Sequence, residues 1–250
     1  MSLTDKFCNS RDLREEERSL CYEFASNCQD IIKDLDKKGY LRSELRLEQE
    51  EEERIRSMNV LWNVRKVTHA FNMFFDMYVD KIKPDSKQRL KRFFELNKPY
   101  GLTEDDLRYL LFSEMIFVFL QNIEEFRFAL LFILNLPIHY SVKEKGEEKT
   151  KTIKYDTTLG RLLKSLEEMK IEKANTLSKI DCDLRNGLSH CLFWFDEKGD
   201  IECPKPHLHY SEDLTFKKVK WINIADLYSK MREQSIYTNC LLNVIGDWFG

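Results

Sequence analysis

The stretch from Tyr109 to Leu136 is the most apolar in the chain, yet Glu114, Asn122, Glu124, Glu125 and Arg127 interrupt it. A membrane span of this length tolerates few or no charges, because each ionised group in hydrocarbon is costly. The stretch therefore reads as a long helix buried inside a protein. That reading constrains the rest of the fold, since other elements must cover the helix on most sides. Thr103-x-x-Asp106 places a capping box at its start, and Pro137 stops it.

Composition supports a helical protein around this core. The 250 residues are 42% hydrophobic and 33% charged, enough apolar material for one large core or two modest ones. Only 8 Gly and 5 Pro occur, which disfavours both a strand-and-turn architecture and disorder. The formal net charge is -3, so any contact with nucleic acid must use local basic patches rather than a global pull.

Seven cysteines sit at positions 8, 21, 28, 182, 191, 203 and 240, with no Cys-x-x-Cys pair. With no signal-peptide pattern at the N-terminus, the expectation is free thiols in a reducing cytoplasm. Cys203-x3-His207-x-His209 matches no common zinc spacing, and neither a metal nor another cofactor is expected.

Apolar spacing divides the chain into further helices. Leu20, Cys21, Phe24, Cys28, Ile31, Ile32 and Leu35 follow a helical repeat, which Lys37-Lys38-Gly39 closes. A second pattern runs from near Ser43 to Pro84, charged at first and amphipathic from Val60. The segment KPDSKQRLKRFFELNKPYG reads as a short basic helix, in which Lys87, Arg89, Lys91 and Arg92 can meet phosphate or simply face solvent. A boundary near residue 100 separates an N-terminal helical region, 1–100, from a second helical domain, 101–250. In the second part, residues 138–156 read as a charged connector. A helix capped by Asp156 or Thr157 follows, with Leu159, Leu162, Leu163, Leu166 and Met169 on one face. A third pattern uses Leu177, Ile180, Leu184, Leu188 and Cys191. The run LFWFDEKGDIEC predicts a hairpin turning at Glu197-Lys198-Gly199, and LTFKKVKWINI another extended run, in which Lys217 and Lys218 are further candidate RNA contacts. A last helix begins at Asn223 or Ile224.

The third pattern carries the polar group Arg185-Asn186-Gly187-Leu188-Ser189-His190. On an ideal helix Arg185 and His190 flank the apolar face about 140° apart, while Asn186 and His190 are i, i+4 neighbours. A structural explanation is available: Arg185 pairs with Asp181 or Asp183, and His190 caps the helix C-terminus. Gly187 weakens the helix in the middle of this group and so points to a further constraint.

These residues resemble the R-x4-6-H motif of the HEPN superfamily, in the form with a polar residue directly after the arginine. The surrounding order is similar too: TTLGRLLKSLEEM, a short gap, DLRNGLSH, an aromatic strand-like run and a final helix. The resemblance covers about residues 103–249. It implies a mainly α fold, a four-helix HEPN-like bundle with a small β-hairpin excursion, dimerising with its motif helices facing across a two-fold axis. Active members of the superfamily are metal-independent endoribonucleases. Carried over, Arg185 and His190 would be catalytic and Asn186 would orient them. The implied partners are a second copy, RNA, and in toxin-type or defence systems an antitoxin or other protein, in the cytoplasm and without a membrane. A tyrosine two residues after the histidine, present in some toxin-type members, is Leu192 here. The alternative kept open is a HEPN-like scaffold that dimerises or binds a partner without catalysis.

Overall fold

The computed structural model describes residues 1–43, 104–196, 207–211 and 218–250. The amphipathic pattern from Val60 to Pro84, the basic segment with Lys87, Arg89, Lys91 and Arg92, the turn at Glu197–Gly199, Cys203 and Lys217 lie outside the described residues, as does Thr103. The described part is mainly helical: α1 (Leu3–Cys8), α2 (Glu15–Lys37), α3 (Glu104–Ile133), α4 (Leu159–Glu168), α5 (Cys182–Ser189) and α6 (Ile224–Phe249). Strands β1 (Ile138–Glu144) and β2 (Glu147–Ile153) form a hairpin, and β3 (Phe193–Asp196), β4 (His207–Ser211) and β5 (Val219–Asn223) form an antiparallel sheet in that order. No helix among the described residues is long and apolar enough to cross a membrane.

The buried faces follow the spacings in the sequence. Cys21, Phe24, Ala25, Cys28, Ile31, Ile32 and Leu35 line one side of α2. Helix α2 ends at Gly39, whose φ of 73° lets Tyr40 N–H reach the Leu35 carbonyl at 2.9 Å. Helix α3 packs against α6, and α6 also receives α1 and α2. Phe24 is fully buried, stacked 4.3 Å from the Tyr237 ring of α6 and 6.2 Å from Phe126 of α3. Truncating a buried ring of this kind costs about 3–5 kcal/mol. The Thr238 hydroxyl, fully buried on α6, donates to the backbone carbonyl of Asn122 on α3 at 2.9 Å and so ties the two helices together in the core. One continuous core runs from Cys8 to Ile245 and takes in residues on both sides of position 100.

Three expectations change at the level of elements. Residues 138–153 form a hairpin rather than a connector. Ile138 and Tyr140 are buried on alternate positions, and Lys145 and Gly146 make the two-residue turn with φ of 53° and 86°. Positive φ at both turn residues is the type I′ signature, disguised here by a lysine in the first place. The extended runs pair as three strands: Asp196 faces His207, and β5 adds to β4. The third helical pattern is broken. Ala174–Lys179 is a 3-10 helix, Ile180 is extended, and α5 begins only after Asp181. Leu177 and Cys191 thus lie outside the helix that carries Leu184 and Leu188.

Candidate functional site

Helix α5 is short, and its ends are built from the motif itself. Asp181 accepts the Leu184 N–H through its side chain at 2.9 Å and so fixes the N-terminus. At the other end His190 is the C-cap residue, and its backbone N–H donates to the Asn186 carbonyl at 3.1 Å. Cys191 follows with φ of 56°, and Leu192 N–H reaches the Gly187 carbonyl at 2.8 Å. This is a Schellman closure with a cysteine in the place usually given to glycine. It turns the chain from α5 directly into β3.

Gly187 permits the packing of α5 on β4. A Cβ at this position would lie 3.0 Å from the Ser211 carbonyl oxygen and 3.1 Å from Tyr210 side-chain atoms. The weak helical residue noted in the sequence is thus a point of close approach between helix and sheet.

Arg185 pairs with neither Asp181 nor Asp183. Its Nη2 donates to Glu124 Oε1 of α3 at 2.5 Å, and its Nη1 to Asn186 Oδ1 at 3.1 Å. Asp181 instead holds Lys230 of α6 at 2.7 Å, and Asp183 pairs with Lys220 of β5. Asn186 therefore engages Arg185 through its side chain and His190 through its backbone. Glu124 is shared, since its other oxygen accepts Arg127 Nε at 2.7 Å. Burial alone would raise the Glu124 carboxyl, but the bonds from Arg185 and Arg127 outweigh it and hold the pKa below the ordinary value of 4.5. Two guanidiniums around one carboxylate leave one net positive charge in a half-buried place. Arg127 is anchored further by the Thr157 carbonyl at 3.2 Å and by the Phe128 ring, 4.3 Å from its guanidinium carbon. The Arg185 Nε is buried and has no hydrogen-bond partner among the described residues.

The structure thus brings Arg185, Asn186 and His190 onto one short helix, with Arg185 partly buried and His190 exposed. Lys218 is exposed before β5. Glu124 and Arg127 lie 61 and 58 positions before Arg185 and were not singled out as a site in the sequence. Their one signal is a Glu/Arg pair at i, i+3 among the few polar residues of a mostly apolar run. A cavity of about 630 Å³ opens beside the N-terminus of α5, bordered by Lys164, Lys179, Asp181, Asp183 and Lys230. It lies at the end of α5 opposite His190 and includes neither motif residue.

Comparison with family models, with curated proteins and with solved structures yields no match to this chain.

Proposed function

We propose that this is a HEPN-like protein acting as a homodimer, with Arg185 and His190 forming a metal-independent endoribonuclease site. The observation that carries the reading is the arrangement on α5. The arginine is held by Glu124 and Asn186 in a cluster of net positive charge, and the histidine is exposed at the end of the same helix.

RNA contains its own nucleophile, the 2′-hydroxyl, so the chemistry needs a base, an acid and stabilisation of charge on phosphorus. One histidine takes the 2′-hydroxyl proton while the 2′-oxygen attacks phosphorus. The Arg185 guanidinium stabilises the charge that develops on the phosphoryl oxygens. The P–O5′ bond breaks, and the partner chain's equivalent histidine, in its protonated form, gives a proton to the leaving 5′-oxygen. The products are a 2′,3′-cyclic phosphate and a 5′-hydroxyl. A two-fold axis supplies two arginines and two histidines to one cleft. Regulation by a protein partner, as in toxin or defence systems, belongs to this reading.

The second reading, a non-catalytic scaffold of the same fold, is favoured by one feature: Arg185 already has a carboxylate partner at 2.5 Å. Incubation of the full chain with a mixed RNA pool in EDTA, beside His190→Ala, separates the two. Cleavage that survives EDTA and is lost in the variant supports the enzyme. A stable dimer by light scattering with no cleavage supports the scaffold.

A further inference from the structure

Three sulfur atoms from three helices meet in the core. Cys8 closes α1, Cys21 lies in the first half of α2, and Cys240 lies in the second half of α6. All three residues are fully buried. Their Sγ atoms all lie within 4.8 Å of one another, and Cys240 Sγ is 3.1 Å from Cys21 Sγ. Cys8 and Cys21 are joined as a disulfide, with Cα atoms 5.7 Å apart. A fourth buried cysteine, Cys28, lies two turns along the same face of α2 and close enough to Cys240 to interact electrostatically.

We propose that the reduced forms of Cys8, Cys21 and Cys240 make a three-sulfur site for one soft monovalent cation, copper(I). A metal at the centre of three sulfurs with bonds of about 2.3 Å spaces those sulfurs about 4 Å apart, so the Cys21–Cys240 pair, now at 3.1 Å, opens by about 1 Å to hold it. The donor set selects the ion. Thiolates favour copper(I), zinc and iron–sulfur centres, while structural zinc takes four ligands. The cluster supplies three, and among the described residues no histidine or carboxylate joins it. Copper(I) accepts three sulfur ligands and needs no water to complete its shell, which suits three sulfurs that are fully buried.

The site forms in two balanced steps. A dithiol reductant gives two electrons and two protons to the Cys8–Cys21 bond, leaving two thiols and the reductant's own disulfide. Copper(I) then replaces thiol protons, which pass to solvent, with no change in its oxidation state. Bound there, the ion ties α1 and α2 to α6, elements at opposite ends of the sequence. The oxidised chain keeps only the Cys8–Cys21 link, so it has one sulfur free where the reduced chain has three.

The test titrates copper(I) into the full chain, reduced with a phosphine and kept anaerobic, against the competing chelator bicinchoninate. Wild type is expected to retain one equivalent. Cys240→Ser should weaken retention at least tenfold, and Cys191→Ser, at an exposed thiol, should leave it unchanged. Retention by Cys240→Ser equal to wild type, or loss of all copper from wild type to the chelator, overturns the proposal. X-ray absorption on the wild-type copper form needs no variant. Three sulfur neighbours at about 2.3 Å support the site, and nitrogen or oxygen neighbours overturn it.

Discussion

Glu124 on α3 and Arg185 on α5 meet at 2.5 Å, and this contact couples the long buried helix to the motif helix. Both side chains are largely shielded from water, so the bond is charge-assisted and worth about 1.5–3 kcal/mol. Glu124→Gln is expected to lower stability by about that amount in chemical denaturation. It also frees the Arg185 guanidinium. RNA cleavage per folded molecule should then change by at least tenfold, in the direction that tells whether Glu124 orients Arg185 or masks it.

Acid should act on the same contact. The Glu124 carboxyl lies below its ordinary 4.5, because the bonds from Arg185 and Arg127 overcome the opposing effect of burial. Glu17 behaves likewise: burial raises it, but the two-pronged bond from Arg232 of α6, at 3.0 and 2.8 Å, lowers it further. A carboxyl lowered in the folded state stabilises fully above its unfolded value, and that stability is lost as pH falls through the folded pKa. The melting temperature should therefore decline below about pH 4.5. The decline should be shallower in Glu124→Gln and in Arg232→Ala, whose melting temperatures start lower at neutral pH.

Gly187 and Gly160 make a matched pair. Both are helical glycines, and alanine is intrinsically better in a helix by about 1 kcal/mol. At Gly160 nothing lies within 4 Å of a new Cβ, so Gly160→Ala should stabilise by about 0.5–1 kcal/mol. At Gly187 the Cβ meets the Ser211 carbonyl and Tyr210, so Gly187→Ala should destabilise by about 1–3 kcal/mol as α5 is pushed off β4. Urea midpoints of the two variants should move in opposite directions.

Cys191 holds a left-handed conformation at the end of α5, which costs a residue with a Cβ about 1 kcal/mol. Cys191→Gly should raise the melting temperature by a few degrees without changing cleavage.

The long helices were legible because burial on one face leaves a period of 3.6 residues. Phe24 and Leu35 on α2 show it, while the start of α6 is marked instead by its Asn223 cap. The hairpin of β1 and β2 is hidden because β2 buries only Ile153 and so carries no alternating apolar signal. The spacing of Leu177 and Leu184 predicts one continuous motif helix, but Ile180 is extended between them and Asp181 caps a new start. In the candidate site, Arg185, Asn186 and His190 are visible as a local pattern. Their electrostatic partner is not, since Glu124 reaches Arg185 only through the packing of α3 on α5, and no local rule encodes a contact across 61 positions.

The most direct test of the proposed ribonuclease site is to identify the RNA ends left after incubation with the purified protein in EDTA. The expected products carry 2′,3′-cyclic phosphate and 5′-hydroxyl ends, reduced at least a hundredfold in His190→Ala and in Arg185→Ala, both folded by circular dichroism. Ends of another type, or equal cleavage by wild type and His190→Ala, would contradict it.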